Sequence, residues 1–332
     1  MSNPEKKISL IERALERLAP LEARCTLCPR VCRVDRTAEE KGVCQTGHRA
    51  SVSHALLHFG EEPVLSGTQR SDPDLPAGAG SGTIFFTGCN LKCLFCQNYQ
   101  LSWLLEGEPA TDEELAGMML RLQSEGALNI NLVSPTHIVL PILRALGTAY
   151  AEGLEIPLVW NSNGYDGLEV IQALEGIVDV YLPDLKYRSP AISKKYSGAA
   201  DYFEHASAAL REMSVQRPVL ETRPDGAARS GLIVRHLVLP GAAGDSLAIL
   251  DWMHESLSPY IGLSLMSQYR PCFKAPEDIR RSLTPEEYRP VAERAVELGF
   301  GQLFLQPEPF RPEEHLVPDF RKREPFRWKK GA

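Results

Sequence analysis

The chain has 332 residues, enough for one large domain or two ordinary ones and for a buried core without disulfides. Hydrophobic residues at 43% and charged residues at 24% exclude global disorder, and 36 basic against 43 acidic side chains, a net charge of −7, exclude a broadly basic nucleic-acid binder. No apolar run is long enough to span a membrane, and the N-terminus, with Glu5, Glu12 and Glu16, resembles neither a secretory signal nor a transit peptide. A cytoplasmic protein with no nucleic-acid or membrane partner is expected. In that reducing compartment its eight cysteines read as metal ligands or catalysts rather than a disulfide framework.

Ile8, Ile11, Leu15 and Leu18 recur at helical spacing, so a first helix is expected from Lys7 to Leu18, ended by Pro20. From Cys25 to Ser66 the period is lost, and Cys25-x2-Cys28-x3-Cys32-x11-Cys44 supplies four thiols, as in a small metal-organised lobe. Four ligands close a coordination sphere, so a structural zinc and an accessory 4Fe-4S cluster both fit. His54 and His58 stand four apart, a metal-binding spacing on a helical face; with Glu61 and Glu62 they read as polar residues near the barrel mouth. The Pro- and Gly-rich stretch from Asp72 to Gly82 reads as a connector. The chain then divides into a helix and cysteine-rich lobe (1–66), a connector (67–82), a barrel (83–310) and a C-terminal extension (311–332). Basic residues of the extension, Arg321, Lys322, Arg323, Lys329 and Lys330, read as a solvated terminus.

Apolar runs at 83–87, 130–133, 158–161, 178–182, 232–239, 263–267 and 303–305 read as strands. Helices between them carry start signals. Thr111 to Glu114 is a capping box before Leu115, Met118, Met119 and Leu122, with Gly126 just past the end. Thr284 to Glu287 is another, with Pro285 at the first helical position, and Pro290 is expected to kink or restart that helix. Alternation of this kind predicts an α/β fold, a partial or complete parallel (β/α) barrel with its chemistry at the carboxyl ends of the strands.

The first of those strands runs straight into Cys89-x3-Cys93-x2-Cys96. Three thiolates leave one metal position open, which separates a catalytic centre from a closed structural one; half of a zinc site is the alternative. With the aromatic Phe95 before the last cysteine, the motif resembles that of the radical S-adenosylmethionine (radical SAM) superfamily. The resemblance implies that Cys89, Cys93 and Cys96 hold a 4Fe-4S cluster whose fourth iron is chelated by S-adenosylmethionine, with Phe95 beside the cofactor. It implies one-electron cleavage of the sulfonium to methionine and a 5′-deoxyadenosyl radical that abstracts a substrate hydrogen. It also implies an electron donor such as flavodoxin or ferredoxin.

From Cys25 to about Pro271 the chain looks most like the pyruvate formate-lyase activating enzymes. On that likeness Asn161, Ser162 and Asn163, in the Trp160-to-Gly164 turn, contact the methionine moiety of the cofactor. Asp184 anchors its amino-acid end, Lys186 pairs with its carboxylate, and Arg235 is a second carboxylate clamp, the geometry a guanidinium suits best. One segment departs. Where those enzymes carry Gly-Gly-Glu-Pro, this chain reads Asn129 to His137, so Asn131, Ser134 and nearby carbonyls are expected to accept from the cofactor's ammonium. The likeness implies a glycyl-radical enzyme as the protein substrate; the departure favours another peptide or a small molecule. From another class, the rival is a non-enzymatic iron–sulfur or zinc redox sensor or electron carrier.

His236 alternates with Arg235 and is expected to pack on the opposite face of its strand. His137 reads as the first turn of a helix, and Cys272 as an idle thiol. Gln97, Asn98 and Gln100 are expected to touch the nucleoside or the substrate.

Overall fold

The computed structural model describes residues 4–67, 80–306 and 317–326. Most of the expected connector, and Lys329 and Lys330, lie outside them. The strands are β1 (Ala50–His58), β2 (Ser81–Phe86), β3 (Glu108–Ala110), β4 (Ile130–Val133), β5 (Leu158–Asn161), β6 (Val180–Tyr181), β7 (Glu221–Thr222), β8 (Ala228–Leu237), β9 (Gly262–Met266) and β10 (Gln302–Leu305). They form one sheet in the order β10-β9-β8-β6-β5-β4-β2-β1-β3, with β7 attached to β8. From β2 to β10 every neighbour on that path is parallel, and β1 runs antiparallel to β2 and β3. All seven expected strands are present. Among the described residues β10 and β3 do not pair, so the barrel is partial.

Helices cover the outer face: α1 (Pro4–Leu18), α2 (Pro63–Ser66), α3 (Tyr99–Ser102), α4 (Asp112–Ser124), α5 (Val139–Ala151), α6 (Leu168–Ala173), α7 (Pro190–Ser197), α8 (Tyr202–Gln216), α9 (Ala243–Ser256) and α10 (Pro285–Leu298). Only the short α2 and α3 are exceptions. The Thr111 capping box forms as expected, with Glu114 N donating to Thr111 Oγ1 at 3.1 Å and Thr111 N to Glu114 Oε2 at 2.8 Å. Pro290 does not interrupt α10. It costs one hydrogen bond in the second turn, while Tyr288, Val291 and Ala295 hold the helix by burial.

The two-residue period of the strands sorts the core into two compartments. Leu158, Trp160, Tyr181, Leu232 and Val234 pack outward with the helices. Val159, Val180, Leu182 and Ile233 pack inward, and Leu65 of α2 is buried among them. Continuing the inward parity toward the strand ends gives Asn161, Asp184 and Arg235. Each strand is thus apolar at depth and polar at its carboxyl end, which is where a site is positioned.

The sequence reading missed β1, which occupies a stretch expected to belong to the cysteine-rich lobe. It spans nine residues and bonds along β2, with Val52 opposite Phe86 and His58 opposite Ser81. His54 and His58 therefore lie on a strand and not on a helical face. The first 66 residues also join the barrel elsewhere: Leu65 fills its interior, and Lys7 of α1 pairs with Asp179 at 2.5 Å.

Candidate active site at the strand ends

Beyond β2 the backbone stays in register for one residue, Thr87 N donating to Ser51 O at 2.9 Å, and then turns at Gly88. Gly88 has φ +82°, and a Cβ there would lie 2.7 Å from the Cys44 carbonyl oxygen. Glycine is therefore required both by conformation and by the close approach of the four-cysteine segment. The next eight residues carry Cys89 and Cys93, both buried, and Cys96, half-buried.

Each of these sulfurs meets hydrogen-bond donors. Asn163 Nδ2 and Leu91 N reach Cys89 Sγ at 3.4 Å, Ser197 Oγ reaches Cys93 Sγ at 3.2 Å with Tyr187 OH at 3.8 Å, and Ser102 Oγ reaches Cys96 Sγ at 3.3 Å. Donors aimed at sulfur suit thiolates bound to metal, whose charge they spread. Burial drives the free thiols the other way, pushing Cys96 up to about 12 and Cys93 upward, so ligation would release their protons. Among the described residues no three His, Cys, Asp or Glu side chains are arranged to hold a single metal ion. The donor set and the burial fit a cluster, whose cysteines spread around several irons rather than around one ion at about 2.3 Å.

The thiols open onto a cavity of about 390 Å³ whose wall includes Phe95, Ser134, Asn161, Ser162, Asn163, Asp184, Lys186 and Arg235. Eight expected site residues thus meet the three cysteines in one space. Asp184 and Lys186 form an ion pair of 2.6 Å. Burial alone would lower the Lys186 pKa, but Asp184 and the Cys93 thiol outweigh it and the net shift is upward, so this lysine stays a cation. Pro183 explains their place: it lacks an amide hydrogen, so the β6 ladder stops and resumes as a single bridge between Asp184 and Arg235. Gly164 closes the neighbouring turn at φ +78°, where a Cβ would fall 2.1 Å from the Asp184 carbonyl oxygen.

Four of the residues expected to contact the cofactor have side-chain partners within the chain. Asn163 spends its amide on Cys89 Sγ and on Asn90 Oδ1 at 2.8 Å, so it serves the cluster ligand. Ser162 Oγ donates to Asp166 Oδ2, whose other oxygen accepts from Thr136 Oγ1, so its hydroxyl shapes the turn. Asn131 lies on the inner face of β4 but outside the cavity wall, its Nδ2 donating to Glu61 Oε1 at 3.0 Å. Arg235 is gripped by two glutamates, Nε to Glu62 Oε1 at 2.8 Å and NH2 to both Glu61 and Glu62, so the expected carboxylate partner comes from this chain. Burial opposes the charge on Glu61, yet Arg235 and His58 outweigh it and hold its carboxyl well below the usual range. The sequence reading missed this group because its members are over 170 residues apart.

The remaining expectations divide. His236 packs outward as expected, with its ring nitrogens on Leu185 O and Ser246 Oγ. His137 opens the short helical turn before α5, with Nε2 on the Thr87 carbonyl, and burial pushes its pKa down to about 3. Gln97 and Asn98 line the cavity, but Gln100 does not: it binds Asp319 and the amide of Phe320, holding the 317–326 segment against the barrel. His54 Nε2 donates to the Lys322 carbonyl at 3.0 Å, and His58 lies against Phe85 and Phe326. Cys272 is buried and outside the cavity wall.

In the first lobe, Cys25, Cys28 and Cys44 are buried and Cys32 is half-buried. Cys28 is pushed up to about 12, first by burial and then by the Cys44, Cys25 and Cys32 thiols, which therefore lie within electrostatic range of it. Val43 N donates to Cys32 Sγ at 3.4 Å, and Cys44 Sγ lies 3.0 Å from Thr46 Oγ1.

A model of the Radical SAM superfamily matches residues 83–217. The uncharacterized protein MJ0674 of Methanocaldococcus jannaschii is 32% identical over 305 residues, covering 88% of this chain and 79% of its own. Among solved structures, Streptococcus suis SuiB bound to precursor peptide SuiA aligns with a TM-score of 0.46 at 11% identity, over 66% of this chain and 46% of its own. anSMEcpe with bound AdoMet and Kp18Cys peptide aligns with a TM-score of 0.46 at 14% identity, over 66% of this chain and 60% of its own. The chain therefore spans about half the length of these structures.

Proposed function

We propose that this chain, whose residues 83–217 match the model of the Radical SAM superfamily, is an enzyme that reductively cleaves S-adenosylmethionine and abstracts a hydrogen atom from a peptide or small-molecule substrate. Cys89, Cys93 and Cys96 would hold a 4Fe-4S cluster, and Asn161, Asp184 and Lys186 the amino-acid end of the cofactor. When bound, the two groups supply one-electron cleavage of the sulfonium to a 5′-deoxyadenosyl radical, the hydrogen-abstracting species. The chain's own part is to orient and to exclude water. Ser102, Ser197, Tyr187 and Asn163 orient the thiolates, and the Asp184–Lys186 pair offers a carboxylate to an ammonium and an ammonium to a carboxylate. Phe95, packed edge-on against Tyr187, Tyr196 and Tyr269, walls the space with apolar surface.

The observation that carries this reading is the meeting of three donor-solvated thiols and the Asp184–Lys186 pair in one cavity at the strand ends. A protein-borne electron donor of the flavodoxin or ferredoxin class would reduce the cluster in a reducing, cytoplasmic setting. The four-cysteine lobe is read as a second metal site, zinc or 4Fe-4S, and the cluster suits it better because among the described residues no three of its thiols surround a single ion. Activation of a glycyl-radical enzyme is one assignment of the substrate. A different peptide or a small molecule is favoured by the segment Asn129 to His137, which stands where the activating enzymes carry Gly-Gly-Glu-Pro and brings Ser134, at φ +59°, into the cavity wall.

The test is anaerobic reconstitution with dithionite and S-adenosylmethionine. Formation of 5′-deoxyadenosine supports the enzyme, and a redox-active cluster that never cleaves the sulfonium makes the chain a carrier or sensor instead. Deuterium transfer from labelled candidate substrates into 5′-deoxyadenosine then identifies the substrate.

A further inference from the structure

We propose that Arg30 is a positioning residue that couples metal binding in the four-cysteine lobe to the loop bearing Cys89 and Cys93. The proposal rests on the reading of that loop as the cluster site. Arg30 lies between Cys28 and Cys32, so a metal held by those thiolates fixes its backbone from both sides. Its guanidinium, however, points out of the lobe. Nε donates to Asn90 O at 2.8 Å, NH2 to Leu91 O at 3.0 Å and Ser197 O at 2.8 Å, and NH1 to Gly198 O at 2.7 Å. The same group stacks over the Tyr165 ring at 5.3 Å.

Two of those carbonyls belong to the cluster loop and two to the end of α7. Both routes continue to a sulfur. Asn90 Oδ1 accepts from Asn163 Nδ2, which also donates to Cys89 Sγ, and Asn90 Nδ2 is itself anchored on the Tyr165 carbonyl. Ser197, whose carbonyl Arg30 binds, donates its hydroxyl to Cys93 Sγ. One side chain therefore links the backbone between two lobe cysteines to the orientation of two cluster cysteines.

The loop needs such a brace. Residues 87–98 belong to no strand or helix, so their shape is set by contacts from outside. A planar fork can serve four carbonyls in one plane, whereas an ammonium on a flexible stem cannot. A second contact runs in parallel: the Cys44 carbonyl packs on Gly88, where a Cβ would lie 2.7 Å from it.

The test is a cycle on the full chain, prepared anaerobically: wild type, Arg30→Ala, a lobe variant carrying Cys28→Ser and Cys44→Ser, and the combination. Two readouts are taken, the rate at which an iron chelator strips the Cys89/Cys93/Cys96 site and amide hydrogen exchange of residues 88–96. A Cys89→Ser, Cys93→Ser, Cys96→Ser variant reports the lobe's own metal and its loss, so the two sites are separable. Arg30→Ala and the lobe variant should each accelerate both readouts by on the order of tenfold, while Arg30→Ala keeps its lobe metal. Combining them should add nothing, because both cut the same link. Arg30→Lys should restore only part, and it serves as the milder probe if Arg30→Ala fails to fold. Additive effects, or single-variant rates within about twofold of wild type, overturn the proposal. A wild type with no iron at the three-cysteine site sinks the reading of that site instead, and the exchange data still decide the coupling.

Discussion

The two cysteine sets are held in opposite ways. Cys89, Cys93 and Cys96 follow a strand in the middle of a sheet, and their sulfurs take donors from distant elements: Asn163 beyond β5, Tyr187 beyond β6 and Ser197 at the end of α7. Cys25, Cys28, Cys32 and Cys44 sit in coil, with donors from the lobe itself. Four non-glycine residues between 31 and 45 have positive φ, among them the β-branched Val31 at +41°. That backbone is costly and persists only where something over-determines it. The barrel positions its thiols through the fold; the lobe depends on what its thiols bind and on its seam with the barrel.

The sharpest break in that comparison is a single thiol on each side. Cys93→Ala should reduce 5′-deoxyadenosine formation to background, whereas Cys28→Ala should leave a fraction on the order of one tenth, consistent with a supporting role. Equal losses, read by chromatography of the nucleoside, would make the lobe a direct participant.

Next in size is the seam below the cavity. Arg235→Ala would leave Glu61 and Glu62 buried without their shared cation and should cost about 3–5 kcal/mol at neutral pH. The folded-state pKa of Glu61 is depressed in the wild type, so its contribution is present above the ordinary carboxylate range and lost as pH falls through the folded value. In the variant that carboxyl has lost its counter-charge, and the deficit should shrink as the pH drops toward 5. Denaturant titrations at pH 7.5 and 5 compare the two, and a pH-independent deficit would contradict the account.

A smaller effect sharpens the barrel side alone. Lys186→Ala should weaken S-adenosylmethionine binding by about 10- to 100-fold with iron content unchanged, as for loss of a hydrogen bond to a charged group. Titration of the reduced cluster's paramagnetic signal with the cofactor reads it directly. A pH-dependent effect lies where the lobe meets the barrel, at His137, whose carbonyl accepts from Arg36 and whose ring stays neutral. Its folded pKa lies below its unfolded value, so its neutral form is fully stabilising above about pH 6.5 and loses up to ~1.4 kcal/mol per pH unit on acidification toward 3. His137→Gln should flatten the stability curve between pH 6 and 4.

Much of the site was legible in the sequence. The seven parallel strands and the thiol loop after the first follow from the apolar runs and where they stop, whereas Asn161, Asp184 and Arg235, which line the cavity, were pointed to by the resemblance to the activating enzymes. β1 was not legible, because its burial is only partial along most of its length and the alternation of Ala50 to Ser53 breaks at His54 and the run Ala55-Leu56-Leu57.

The residues alone determined which elements form and which end of each strand is polar, because those signals lie between near neighbours in the chain. Only tertiary structure decided what the polar groups hold. Arg235 faces Glu61 and Glu62, Asn163 faces Cys89, and Arg30 reaches across to Asn90 and Ser197, at separations of 60 to 174 residues. Such partnerships depend on sheet register and on the path of a segment through the barrel, and no local pattern encodes either.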